Sequence, residues 1–246
     1  MLELDNALIL GKGTERTCYM HPEDDALCIK INHSALNKQS RKEIKYCELL
    51  NKQGKFPCQS IPQYYGSVTT NLGQGTVFER IRNYNGDKVK SLAETLTMLI
   101  EKNDTATLTR IMNGLNELKQ DLLKQHILVR GLNLNNIHVQ HLDQENSKLV
   151  LVDCFGNADF IPLANFSNSY ARLKIQRKWK RLEAKISRSY PKNETIIAIL
   201  KTFELPCLQI GMKESQIKIT KDQAGLTCFV EIYKERHNAA MQDAES

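Results

Sequence analysis

The chain has 246 residues, 41% of them hydrophobic, which is enough to build a substantial core, and a net charge of +6 that favours phosphate-bearing or acidic partners without choosing among them. Its six prolines and 12 glycines are scattered, and no repeat or low-complexity tract stands out, which excludes disorder as the main state. No apolar run approaches the roughly 20 residues of a membrane span, and the start, MLELDNALILGKG, has no basic cluster of the secretory kind, so a soluble, cytoplasmic protein is expected.

The opening ALILGKGTERTCYMHPEDDALCIKIN reads as two strands around a glycine-containing loop and a polar turn, the return strand ending at Cys28, Ile29, Lys30 and Ile31. From Ser34 to Asn51 the pattern is helical, with Leu36, Ile44, Cys47 and Leu50 on one stripe. Two further strands, YYGSVTTN and GTVFERI, are joined by a turn at Asn71, Leu72, Gly73 and Gln74. After a turn at Asn83 to Asp87 the chain changes character. Helices are expected over Leu92 to Glu101 and Leu108 to Gln125, the second with Leu108, Ile111, Met112, Leu115, Leu118 and Leu122 at three- and four-residue spacings. Short strands follow at NNIHVQH and SKLVLVD, then a basic helix over Leu173 to Ile186, a helix over Glu194 to Phe203, and a hairpin in QIKITKDQAGLTCFVEI with Gly225 near its turn. The last residues, HNAAMQDAES, read as a frayed end. Strands with one helix, then mostly helices, make an α+β arrangement of two unequal parts. The seven cysteines form no CxxC pair and are expected as reduced thiols.

Four weak signals occur in the order that phosphate handling in a kinase-like fold requires. Gly11-Lys12-Gly13-Thr14 lies between strands, where bare backbone can approach phosphates, although Arg16 stands where a GxGxxG pattern has its third glycine. A plain hairpin is the blander explanation. Lys30 sits in an apolar strand and calls for an anionic partner; Glu43 on the next helix is the expected one, with Glu48 as fallback, and the bland alternative leaves Lys30 in water on an edge strand. Residues Val129 to Val139, VRGLNLNNIHV, have the shape of HRDLKPxNILL, with Arg130 and Asn136 matching. Asp153 ends the buried run LVLVD, with Gly156 three residues on. Asn136 and Asp153 offer the hard oxygen ligands that suit Mg²⁺. The expected nucleotide-binding set is therefore Gly11, Gly13, Lys30, Glu43, Glu79 at the end of the second hairpin, Asn136 and Asp153, with Lys30 and Asp153 as the catalytic pair.

The segments CYMHPEDDALCIKI, RKEIKYCELL, IPQYYGSV, LNLNNIHV and FIPLANFSNSYARLKIQRKWKRL together resemble the bacterial YrbL family, named for membership of a PhoP regulatory network and grouped with protein-kinase-like folds. The resemblance runs from about Leu8 to Ala184. It implies a two-lobed kinase-like domain over residues 1–190, with a β-rich N-lobe over 1–82 and a mostly helical C-lobe over 83–190, and leaves 191–246 as an extension. It also implies ATP and Mg²⁺ as ligands. Two departures matter: Gly131 stands where a kinase has its catalytic aspartate, and Asn133 where it has the lysine that steadies the γ-phosphate. A pseudokinase or very weak atypical kinase is the expected function. The alternatives are an active atypical kinase acting on a protein, a small molecule or an envelope sugar, and a nucleotide-free binder. An acidic partner is expected at Lys174, Arg177, Lys178 and Arg181 on the basic helix, whose Leu173, Trp179 and Leu182 should pack inward.

Overall fold

Strand alternation sets the layout of the first lobe, because it sends Ile29 and Ile31 to one face of a sheet and Cys28 and Lys30 to the other. In the computed structural model, which describes residues 1–34, 38–157, 163–165, 167–204, 217–221 and 228–232, that sheet has five antiparallel strands. They are β1 (Ile9–Lys12), β2 (Arg16–Met20), β3 (Leu27–Asn32), β4 (Tyr64–Thr70) and β5 (Gly73–Glu79), in the order β1-β2-β3-β5-β4. The opening segment thus makes three strands where two were expected. HPEDD supplies the extra reversal, with Asp24 accepting from the Ala26 amide at 2.9 Å. Lys30 is on the central strand, paired with Cys18 on one side and Thr76 on the other.

Ile29 and Ile31 are buried with Leu4, Tyr19 and Val77 in a small outer cluster. Behind the opposite face lies the main core, to which Cys28 and Phe78 contribute. Gly75 opposite Ile31 is needed for this packing, since a Cβ there would collide with Ile29 and Ile31. Helix α1 (Lys38–Lys52) lays Glu43, Tyr46, Cys47 and Leu50 inward, while Ile44 is only half-buried and Glu48 is exposed. Leu36 lies outside the described residues.

The second lobe begins with β6 (Lys90–Ser91), a short strand that the sequence did not announce, and α2 (Leu92–Glu101). Ser91 and Glu94 form a reciprocal capping box, which satisfies amides that the first helical turn leaves open. Helix α3 (Thr105–Gln125), capped by Asp104, buries all six residues of the expected stripe. It stops at His126, which takes a left-handed conformation at φ 56°. Strands β7 (Ile137–His141) and β8 (Ser147–Leu151) complete a three-stranded sheet, β6-β7-β8. Helix α4 (Asn168–Ser189) then buries Trp179, Leu182 and Ile186, and Lys119 of α3 pairs with its Glu183 at 2.7 Å.

The compact unit holding both lobes runs from Met1 to Phe203, beyond the boundary expected after residue 190. Helix α5 (Glu194–Glu204) explains the difference, because Ile196 and Leu200 are buried in the main core. The remainder, Glu204 to Ser246, is a second unit in which β9 (Ile217–Lys221) and β10 (Cys228–Ile232) pair antiparallel, as the expected hairpin requires. Gly225 and the HNAAMQDAES end lie outside the described residues. Among the described residues, no helix is long and apolar enough to cross a membrane.

Candidate nucleotide site

A cleft of about 970 Å³ opens where the five-stranded sheet meets the loops around β7 and β8. Gly11, Gly13, Lys30, Glu79, Asn136 and Asp153 all line it; Glu43 does not. The glycine loop is a tight hairpin in which the Gly13 amide donates to the Arg16 carbonyl at 2.8 Å. His33 braces it, with ring nitrogens 2.8 Å from Thr17 Oγ1 and 3.2 Å from the Thr14 carbonyl. A Cβ on Gly11 would meet nothing within 4 Å, and neither Gly11 nor Gly13 has a left-handed φ. The fold therefore does not require glycine at these positions. Their effect is to leave bare backbone over the cleft.

The floor is a clasp of main-chain hydrogen bonds. The Arg130 amide donates to the Cys154 carbonyl at 2.8 Å, the Gly156 amide to Leu128 at 2.9 Å, and the Val152 amide to Asn136 at 2.9 Å. Tyr46 of α1 accepts from the Leu128 amide through its hydroxyl at 2.7 Å, joining the helix to the same clasp. Asn133 uses its side-chain oxygen to cap the turn, accepting from the Asn135 and Asn136 amides at 2.9 and 3.0 Å. It is a turn former here, which the sequence comparison with a lysine does not suggest. Gly131 has room: a Cβ would stand 3.5 Å from Cys154 Sγ, an ordinary contact.

Charges are distributed differently from the sequence expectation. Lys30 does not pair with Glu43. Its ammonium donates to the Val152 carbonyl at 2.7 Å, lies 4.0 Å from Asp153 Oδ1 and stands 4.5 Å from the centre of the Phe78 ring. The physical reason is Arg16. Its guanidinium reaches Glu43 Oε2 at 2.9 Å with one terminal nitrogen and Asp153 Oδ1 with the other. Arg130 adds a second bond to Glu43 Oε2 at 3.2 Å. A planar fork bridges two carboxylates more readily than the single ammonium of Lys30. Reading Arg16 only as a missing glycine hid this role; an arginine one strand from a buried helix glutamate was the available signal.

Burial pushes the Glu43 carboxyl up, and Arg16, Lys30 and Arg130 offset this only in part. Asp153 behaves the other way. Burial raises it too, but Lys30 and Arg16 outweigh that and hold it below the ordinary carboxylate range. Burial disfavours the Lys30 ammonium, yet Asp153 beside it keeps the lysine above its usual value. Lys30 and Arg16, whose guanidinium is likewise held against burial above its usual value by Glu43 and Asp153, are thus charged near neutral pH.

The basic helix also departs from expectation. Arg177 and Arg181 are exposed, but Lys174 and Lys178 are half-buried and turned inward, Lys174 to Asn157 Oδ1 and Lys178 to the Arg130 carbonyl at 2.7 Å. They sit a turn apart on the side of α4 that faces the clasp, where carbonyl and amide oxygens accept them. Trp179 and Leu182 pack as expected, while Leu173 is 50% exposed.

The same segments that build the cleft also relate the chain to known proteins. The family described as "PhoP regulatory network protein YrbL" matches residues 2–187. The chain belongs to this family. A YrbL protein of Escherichia coli (strain K12) is 32% identical over 187 residues, covering 75% of this chain and 87% of that protein, and a YrbL protein of Shigella flexneri gives the same figures. Among solved structures, a single mutant and a double mutant of the PknI kinase domain of Mycobacterium tuberculosis are similar at 10% identity. The single mutant has a TM-score of 0.40, covering 59% of this chain and 57% of that one, and the double mutant has 0.41, covering 59% and 58%. YrbL membership thus spans both lobes, whereas α5 and the second unit fall beyond the matched residues.

Two outcomes are expected from the charge cluster. Glu43 is 2% exposed, so Glu43→Ala takes a buried carboxylate partner from both Arg16 and Arg130 and should lower the unfolding free energy by about 3 kcal/mol, read from urea denaturation. Asp153 titrates lower in the folded chain than its unfolded value of about 3.9. Its contribution is complete above that value and is lost as pH falls through the folded one. The excess stability of wild type over Asp153→Asn should therefore hold constant near neutral pH and shrink below about pH 4, as measured by urea midpoints across pH.

Proposed function

We propose that this YrbL-family chain binds ATP in the cleft between its lobes and acts as a pseudokinase or very weak kinase within the regulation its family name denotes. The order of elements, a five-stranded antiparallel sheet with one helix followed by a mostly helical lobe, supports a protein-kinase-like reading. The observation that carries the proposal is the convergence on one cleft of the glycine loop, Lys30, Asn136 and Asp153, while the place of a catalytic base is held by Gly131. Glycines that the fold does not need for torsion or packing leave room for something to lie under them. Lys30 and Arg16 give that room the charge a polyphosphate requires.

Glu79 has a mixed role: its carboxylate accepts from the Gln63 amide at 3.2 Å and its carbonyl from the Cys28 thiol at 3.7 Å, at the inner edge of the cleft. Its main-chain carbonyl, more than its carboxylate, suits an adenine edge, since its amide donates to the Gln63 carbonyl at 2.8 Å. Mg²⁺ fits less well. At Asp153, Oδ1 already takes Arg16 and the Cys154 amide at 2.8 Å, whereas Asn136, whose amide nitrogen turns to Gly131 O and Cys154 Sγ, keeps its Oδ1 as a ligand atom. An acidic partner, if recruited by α4, would meet exposed Arg172, Arg177, Lys180 and Arg181 rather than a set that includes Lys174 and Lys178.

Titration with ATP, followed by calorimetry and thermal shift, should show binding in wild type and a loss of about tenfold or more in Lys30→Ala, because a charge-assisted hydrogen bond of ordinary strength is removed. Heat and melting temperature unmoved by ATP would end the nucleotide reading. For chemistry, single-turnover transfer to candidate acceptors should be undetectable or very slow in wild type. Gly131→Asp should raise it, general-base assistance being worth about 10² to 10⁴ in rate. Robust wild-type turnover would show an active kinase instead.

A further inference from the structure

Arg16 stands at the first residue of β2, where its guanidinium spans the gap between α1 and the loop after β8. It is both a structural bridge and part of the cleft wall. It holds Asp153 Oδ1, one of the two carboxylate oxygens through which a divalent cation could bind this side chain. Mg²⁺ requires oxygen ligands at about 2.0 to 2.1 Å in near-octahedral array, and a guanidinium nitrogen hydrogen-bonded to that oxygen keeps an ion from it. Lys30 at 4.0 Å and the Cys154 amide at 2.8 Å add positive potential at the same atom. Arginine does not surrender its proton in proteins, so this cation is permanent.

We infer that Arg16 takes the place of the divalent cation, so that this cleft binds ATP without Mg²⁺, its phosphates meeting the guanidinium and the Lys30 ammonium directly. The inference rests on the nucleotide reading above and deepens it. Two of the five guanidinium N–H groups answer Glu43 and Asp153, and because Arg16 lines the cleft the remaining N–H groups of the fork are the ones that would meet phosphate oxygens. Electrostatics also oppose adding the ion. Arg16 and Lys30 already flank Asp153, so a divalent cation arriving there would face two like charges at close range. In an arrangement built around a metal the aspartate would be the surplus charge. Here it is already balanced.

The test is the affinity of intact protein for ATP, measured by calorimetry in excess EDTA and in excess Mg²⁺. Wild type should bind with affinities within about threefold of each other. Arg16→Gly should weaken binding in EDTA by about tenfold or more, the cost of a lost hydrogen bond to a charged group, and should recover part of it when Mg²⁺ is added. Because that variant also removes a Glu43 partner and could unfold, Asp153→Asn serves as a second probe. Without its carboxylate Arg16 is freed for phosphate, so ATP binding in EDTA should be unchanged or tighter, whereas a metal ligand at this position would show a loss of Mg²⁺-dependent binding. Wild-type affinity that rises more than about tenfold with Mg²⁺ overturns this inference alone. No ATP binding in either condition overturns the nucleotide reading and this inference with it.

Discussion

Glu43 is a carboxylate withdrawn almost completely from water, and the arrangement around the cleft follows from the need to answer its charge. Burying an ion is costly unless it is paired and hydrogen-bonded. The partners come from two places: Arg16 from the sheet and Arg130 from the loop before β7. One oxygen of one helix residue thereby ties together three parts of the chain that are far apart in sequence. Its other oxygen, Oε1, has no hydrogen-bond partner among the described residues, consistent with a carboxyl whose ionisation is opposed by burial. Arg16 then carries the connection onward to Asp153, so the sheet, the helix and the loop after β8 share a single charge relay of fixed groups.

This explains which parts of the site were legible in sequence. Lys30 declares itself because a lysine in CIKI breaks an apolar strand, and its neighbours in register, Cys18 and Thr76, make that strand a central one rather than an edge. Asn136 and Asp153 stand out in the sequence for a similar reason, each being a polar residue where a loop and a strand of aliphatics meet, and both line the cleft. Pairing was not legible. Glu43 presents the right side chain on the right helix, but which cation reaches it depends on side-chain length and direction across the β2 and β3 register, and that information is three-dimensional. Arg16 has the longer reach and the forked head, and it displaces Lys30 onto Val152 and Asp153.

The same limit applied to helices. Periodicity placed α2, α3 and α4 correctly, because leucines and isoleucines at three- and four-residue spacings have one physical use in a globular chain. It could not say which lysines of α4 face water. Lys174 and Lys178 lie on the flank of the buried stripe of Ala171, Ile175 and Trp179, and a long amphipathic side chain at such a flank can lay its stem on apolar neighbours while its head finds an inner acceptor. Leu173 and its exposure show the converse case. β6 escaped notice because two residues carry no period at all.

The clasp beneath the cleft is closed by amides and carbonyls of residues 128–130, 136, 152, 154 and 156. Those groups belong to the backbone, so outside Gly156 and Cys154, whose φ of 109° and 67° are left-handed, the clasp places few demands on which side chains project from it, and a Cβ at Gly131 would make only ordinary contact with Cys154. Shape and chemistry are consequently held by different atoms. A pocket of this construction keeps its contour and depth largely independently of the reactive side chains that project into it.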